Sequence, residues 1–329
     1  MNLLWLDWAV IALLLGGMAA IAIRTSMLNR SVADFLAGNR CARRYLLTMA
    51  DGVAGLGAIT IAANFEKFYQ AGFTAGWWGQ ILMPIGLIMA LTGFVIYRYR
   101  ETRVLTMAQF FEIRYSRRFR IFAGMLAFTS GVLNYGIFPA VTSRFLIYFC
   151  GLPTEFDLFG MTLPTMAPVM LIMLSLALML TLSGGQIAVI ITDFFQGQFI
   201  QITILVVFFV FLVQISWSDL FEGLKMAPPD KSMINPLKVS GIESFNPAFF
   251  FMVALLNVYG FKAWQGNQGY NAAPKSPHEA KMAGILAGFR GQVLFLLTAL
   301  VPLFVFARYD ADPAQDEAIL SATAPFPKP

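Results

Sequence analysis

Charge is scarce in this chain. Asp, Glu, Lys and Arg make up 12% of its 329 residues, against about a quarter in an ordinary soluble domain. That deficit excludes a soluble enzyme, a nucleic-acid binder and a disordered protein. Histidine is nearly absent: His278 stands alone, so a histidine-rich metal site is excluded. The two cysteines, Cys41 and Cys150, have no second ligand at metal spacing and behave as small hydrophobes. There is no Walker sequence, no G-x-S-x-G and no HExxH. With neither a nucleophile–base pair nor a metal constellation, the chain is not expected to be an enzyme.

What is present is apolar. Hydrophobic residues reach 58% and Phe alone accounts for 32 positions; mean hydropathy is +0.69. Eight candidate spans stand out, at 5–23, 46–65, 77–97, 121–149, 166–183, 187–215, 247–262 and 282–307. A stretch of about 20 apolar residues crosses the hydrocarbon of a bilayer. The chain is therefore expected to be an all-α polytopic membrane protein. Its start, MNLLWLDWAVIALLLGGMAAIAIRT, carries Asp7 where a signal peptide has basic residues, and no A-x-A site follows, so a retained span is expected.

Orientation follows from Lys and Arg placement. Arg24, Arg30, Arg40, Arg43 and Arg44 follow span one; Arg98, Arg100, Arg103, Arg114, Arg117, Arg118 and Arg120 follow span three; Lys262, Lys275 and Lys281 follow span seven. The alternate loops are poorer in positive charge. The positive-inside rule then predicts an extracytoplasmic N-terminus and cytoplasmic arginine-rich loops. The net charge of +5 is a topology signal, and no nucleic-acid partner is expected. This topology puts Cys41 and Cys150 on opposite faces, which argues against a disulfide between them. The segment TMAQFFEIRYSRRFR is amphipathic and predicts an interfacial helix whose arginines meet anionic lipid headgroups.

Three segments carry unusual polarity. Span two holds Asp51 beside Gly52, Gly55 and Gly57. Small residues suit close helix packing, and they equally suit a helix that breaks in mid-membrane and frees carbonyls for an ion. Turns are predicted within 51–59 and within 257–268. Span seven runs into Asn257, Tyr259, Lys262, Trp264, Gln265, Asn267 and Gln268, after which Ser276 and Pro277 start a new helix. Span six holds Asp193 near Thr192, Gln196 and Gln201. An intramembrane carboxylate is either a functional group or the partner of a cytoplasmic arginine. In span four, Pro139 should bend the helix and Arg144 should snorkel outward. Weak segments at corresponding positions of two halves point to a secondary transporter.

The pieces VADFLAGNR (32–40), FYQAGFTAGWW, TMAQFFEIRYSRRFR, SGGQIAVIITDFFQGQ (183–198) and QGYNAAPKSPHEAKMAG (268–284) resemble, in order and spacing, the sodium:solute symporter family. That family includes sodium–glucose, sodium–proline and sodium–pantothenate transporters. The resemblance implies a five-plus-five inverted-repeat fold with an extra N-terminal helix, in a multi-pass protein of the cytoplasmic membrane. On that reading 1–329 is a single transmembrane domain. Residues 1–45 form the extra helix and its cytoplasmic loop, and 46–215 the first inverted repeat. Residues 216–246 form an extracytoplasmic loop, and 247–329 start a second repeat that is incomplete, as in a C-terminally truncated member. It further implies Na⁺ as coupling ion, held by backbone carbonyls at Val53 and Leu56. The solute would face Gly57, Thr60, Asn257 and Tyr259, and Asp193 would lie on the inner ion pathway. Where sugar transporters of the family have polar residues, this chain has Ala58 and Ile59, so a sugar is not the expected solute. The expected function is Na⁺-coupled symport of a small organic solute by alternating access, with solute, Na⁺ and membrane lipid as partners. The alternative is a transporter-like sensory or scaffold module without transport activity.

Overall fold

The computed structural model describes residues 4–158, 160–214 and 216–307. In chain order the helices are α1 (Trp5–Ser26), α2 (Val32–Ala37), α3 (Arg44–Ala54), α4 (Ala58–Thr92), α5 (Ile96–Glu101), α6 (Met107–Arg114), α7 (Arg117–Cys150), α8 (Met166–Gln214), α9 (Trp217–Lys225), α10 (Pro247–Tyr259), α11 (Gln268–Ala272) and α12 (Pro277–Val305). The described residues depart from an all-helical chain in one antiparallel hairpin, β1 (Glu155–Leu158) with β2 (Met161–Pro164), and in short 3₁₀ turns.

Among the described residues five helical stretches are long and apolar enough to cross a membrane: Trp5–Ser26, Ala58–Glu101, Arg117–Cys150, Met166–Gln214 and Pro277–Val305. Their large apolar side chains point outward along much of their length, as in Leu13, Leu126, Leu171 and Phe209. Lipid rather than protein is the natural neighbour of such a surface. This is a multi-pass helical membrane protein.

The difference from the eight sequence-derived spans has a local cause. Spans five and six fall in one element, α8, interrupted only at Gly185 (φ 55°, ψ −157°). Parts of spans two and three fall in α4, interrupted at Gly72 (φ 60°, ψ −150°). Those dihedrals belong to a region that only glycine occupies at low cost. One glycine makes the connection that a loop was expected to make. The span at 247–262 is the 13-residue α10, and the chain leaves the helix after Tyr259.

The expected interfacial helix is also two elements. α6 ends at Arg114, and Ser116 then caps α7 by accepting from the Phe119 N–H at 3.2 Å. Arg117, Arg118 and Arg120 therefore open the α7 span, with Arg120 paired to Glu112 at 2.5 Å. Helix α7 runs through Pro139 without a residue leaving helical dihedrals.

The described residues fall into two compact units. The first draws on Met1–Thr60, Met89–Phe199 and Gly260–Gly288, the second on Ile61–Ile88, Ile200–Tyr259 and Phe289–Pro329. In the first, Leu47, Ala50, Ile190, Tyr270, Ala273 and Ala283 form one core cluster, and Ala37, Tyr99, Val104 and Ala272 another. In the second, Phe68, Ala71, Val239, Phe250 and Ala299 pack together, with Phe68 edge-on to Phe295 at 5.6 Å. The segment around Met233 is pinned to α4 there: the Thr74 hydroxyl donates to the Ser232 carbonyl at 3.0 Å.

Candidate functional site

Helix α3 buries Leu47, Ala50 and Val53. Its spacing of apolar residues gives it one strongly apolar face, which packs on Ile190 of α8 and Tyr270 of α11. The helix stops at Ala54. Gly55 leaves helical geometry, Gly57 is extended (φ −129°, ψ 174°) and α4 begins at Ala58. The break is ordered. The Leu56 N–H donates to the Val53 carbonyl at 2.8 Å. The Thr60 hydroxyl donates to the Gly55 carbonyl at 3.1 Å and accepts from the Gly57 N–H at 3.4 Å. One side chain thus satisfies backbone groups on both sides of the break, which matters where no water can do so.

The chain breaks a second time after α10. Lys262 has φ 56°, and a 3₁₀ turn at Gln265–Asn267 leads into α11. Two side-chain amides hold this loop: Gln268 Nε2 and Asn271 Nδ2 both donate to the Lys262 carbonyl, at 3.2 and 3.1 Å. The Lys262 ammonium pairs with the Asp51 carboxylate in the last turns of α3. Both side chains are more than four-fifths buried. The Tyr270 hydroxyl donates to Asp193 of α8. The two breaks are therefore tied to each other and to α8 by one ion pair and one charge-assisted hydrogen bond, the stronger kinds of polar contact.

Below these ties the same elements meet again. Ala42 and Pro274 form a bridge: the Ala42 N–H donates to Ala273 O at 3.1 Å, and the Lys275 N–H to Ala42 O at 2.9 Å. Glu279, in the first turn of α12, accepts from the Arg44 guanidinium at 2.5 Å and from the Arg44 N–H at 2.7 Å. That carboxylate holds the Arg44 guanidinium above its ordinary pKa. Ser276 caps α12 by accepting from the Glu279 N–H at 3.2 Å.

A cavity of about 1210 Å³ opens at the first break. Leu56, Gly57 and Thr60 form one wall, a face of α7 including Phe128, Asn134 and Tyr135 another, and Trp264 and Tyr270 a third. Among the described lining residues none is charged. The lining suits a mostly uncharged organic molecule, with a few polar groups to orient it.

The site residues expected from sequence are only partly together. Leu56, Gly57 and Thr60 line the cavity. Val53 is 7% exposed and its side chain belongs to the core; its carbonyl already accepts from Leu56, although an oxygen has a second lone pair to offer. Asp193 lies behind the wall, joined to it through Tyr270. Its partner is that tyrosine rather than an arginine. Asn257 and Tyr259 lie at the exposed end of α10, in the other unit, and do not line this cavity.

Four contributors were not singled out from sequence: the α7 face, Trp264 as cavity wall, Tyr270, and the pairing of Lys262 with Asp51. The last had a signal. Two opposite charges in two weak apolar segments are expensive apart and tolerable together.

No family model matches the sequence, and no curated protein does. Among solved structures the chain is similar to a substrate-bound, outward-open Na⁺-coupled sialic acid symporter. The TM-score is 0.75 at 19% identity, over 97% of this chain and 63% of that one. The chain thus spans a little under two thirds of that protein's length. Over nearly its whole extent, this chain has the fold of part of a Na⁺-coupled symporter.

Proposed function

We propose that the protein carries out Na⁺-coupled symport of a small organic solute, and that this chain supplies the first broken core helix and much of one wall of the solute site. The observation that carries this reading is the interruption at 55–57, which opens onto the cavity and leaves backbone carbonyls without helical partners. Such interruptions are where secondary transporters bind ion and solute. The fold likeness supports the same reading, and with it the five-plus-five inverted repeat. In this proposal Na⁺ is held at the carbonyls of Val53 and Leu56, the solute contacts Gly57 and Thr60, and Asp193 serves the ion's inner path. Asn257 and Tyr259, expected at the solute from the sequence, do not line this cavity, and no contact is assigned to them.

Coupling needs no chemistry. Ion and solute that jointly stabilise one state of an alternating equilibrium let a Na⁺ gradient drive the solute. The solute of the structural neighbour does not transfer directly. A sialic acid carries a carboxylate, and no charged side chain lines the described cavity.

The test is thermal unfolding of the detergent-purified protein against a panel of small neutral and charged solutes, in NaCl and in KCl. A neutral solute should raise the unfolding midpoint in Na⁺ and do so far less in K⁺. Binding that ignores the cation would favour the sensory or scaffold reading instead.

A further inference from the structure

Lys262 carries its charge to a place where a free cation would fit. The ammonium donates to Asp51, and the two side chains are 18% and 14% exposed. Beside them is a space of about 20 Å³, bordered by Asp51, Lys262, Tyr270 and Asn271 and by apolar residues such as Leu47 and Ala283. That is room for one particle the size of a water molecule. A bare Na⁺ or K⁺ is small enough, and a bulky organic cation is not. The Asp51 carboxylate is only half used. Lys262 takes Oδ2, while Oδ1 is buried and has no partner. Among the described residues no second cation pairs with it, because Arg44, at the start of the same helix, is committed to Glu279.

The chain is strained to put a lysine there. Lys262 has φ 56°, a region that a residue with a long side chain enters only at a cost. Its carbonyl accepts from the Gln268 and Asn271 amides, at 3.2 and 3.1 Å. Two dedicated hydrogen bonds thus fix the strained residue whose side chain reaches Asp51. Backbone strain held in this way marks a clamp, and what it presents to the carboxylate is an ammonium of the chain itself.

A tethered cation differs from a dissolved one. Its effective concentration is set by the tether and does not fall when Na⁺ is dilute. We propose that Asp51 is a binding site for one monovalent alkali cation, filled in this chain by the Lys262 ammonium. The lysine shuts Na⁺ and K⁺ out and makes the joint between the two broken segments independent of the ion gradient. The site is a different group from the carbonyls of Val53 and Leu56, and it stands whether or not the cavity takes a solute.

The test uses detergent-purified protein in KCl, NaCl or N-methylglucamine chloride at equal ionic strength. Lys262→Met leaves the carboxylate and removes its cation. Its unfolding midpoint should rise by about 3 °C or more as KCl goes from about 10 to about 300 mM. NaCl should act likewise and N-methylglucamine should not. The parent and Lys262→Met/Asp51→Leu should lack this response to K⁺. An equal gain from N-methylglucamine is screening and overturns the proposal. So does a variant that gains from acid but not from alkali cations, since a proton then neutralises Asp51. A second arm reads the parent itself. Lys262 should resist acetylation by acetic anhydride equally in all three salts, and acetylation that rises with NaCl overturns the exclusion. If Lys262→Met does not fold, Asp51→Asn decides: Lys262 should then acetylate readily, and unchanged protection overturns the proposal.

Discussion

The hydroxyl of Tyr270 donates to the carboxylate of Asp193, 77 residues earlier in the chain. The same tyrosine lines the cavity and is 6% exposed. A carboxylate that does not itself line the cavity is thereby joined to its wall by one side chain. A change at Asp193 can therefore reach the cavity without an arginine to relay it.

That relationship makes a prediction. Tyr270→Phe keeps the ring in the core and removes the hydrogen bond, leaving Asp193 short of a donor. The expected cost is about 1–3 kcal/mol, seen as a lower unfolding midpoint. Asp193→Asn can still accept from Tyr270, so abundance in the membrane should stay near normal. If the carboxylate serves the ion, Na⁺-dependent uptake should nevertheless fall sharply in that variant. Collapse of abundance instead would make Asp193 a structural group.

Lys262 and Asp51 offer a cleaner energetic test. Removing one member of a buried pair strands the other, at roughly 3–5 kcal/mol, whereas removing both can be neutral. Lys262→Met and Asp51→Leu should each destabilise strongly, measured by unfolding in detergent. The double variant should recover most of the loss. Additive losses would show that the pair is not coupled.

Much of this was legible in the sequence, for physical reasons. Hydrocarbon thickness fixes span length, so α1, α7 and α12 stand where apolar runs put them. The break at 55–57 was announced by glycines in a segment that lipid obliges to be helical. The cap at Ser276 was equally plain. Two kinds of feature were not. Gly72 and Gly185 turn the chain with a single dihedral pair, which no composition window detects. The α7 face that lines the cavity consists of ordinary apolar and small residues, and only the neighbours supplied by the fold make it a wall. Asn257 and Tyr259 mark the opposite limit. Their polarity drew attention, but polarity alone does not say which cavity a side chain faces.

Orientation is a prediction of the arginine count alone. With Cys41 and Cys150 replaced, a single cysteine at Leu28 or at Tyr115, both exposed, should resist an impermeant thiol reagent in intact cells and react once the membrane is opened. Asn29 is a poorer position, because its amide is buried. Labelling of both positions in intact cells would reverse the topology.

The last prediction separates two glycines by what surrounds them. A side chain at Gly55 would meet no atom within 4 Å at its Cβ, and the residue has φ −91°, which any amino acid adopts. The neighbouring space is the cavity. Gly55→Leu should therefore fold, with an unfolding midpoint close to that of the parent, while its bulk fills the solute site and abolishes the Na⁺-dependent response to solute. Gly72 is the opposite case. A Cβ there would meet the backbone of Met233 at 2.7 Å or closer, and φ is +60°. Neither neighbour is the free end of a flexible side chain, so the segment around Met233 would have to move off α4 and break the bond from Thr74 to Ser232. Gly72→Ala should cost roughly 3 kcal/mol or more and reduce the amount of folded protein in the membrane. Gly16→Ala is the control. It lies within α1 with open space around it, so alanine should be neutral or stabilise by up to about 1 kcal/mol through helix propensity. If Gly55→Leu unfolds the protein while Gly72→Ala is tolerated, the cavity and the turn have been assigned the wrong way round.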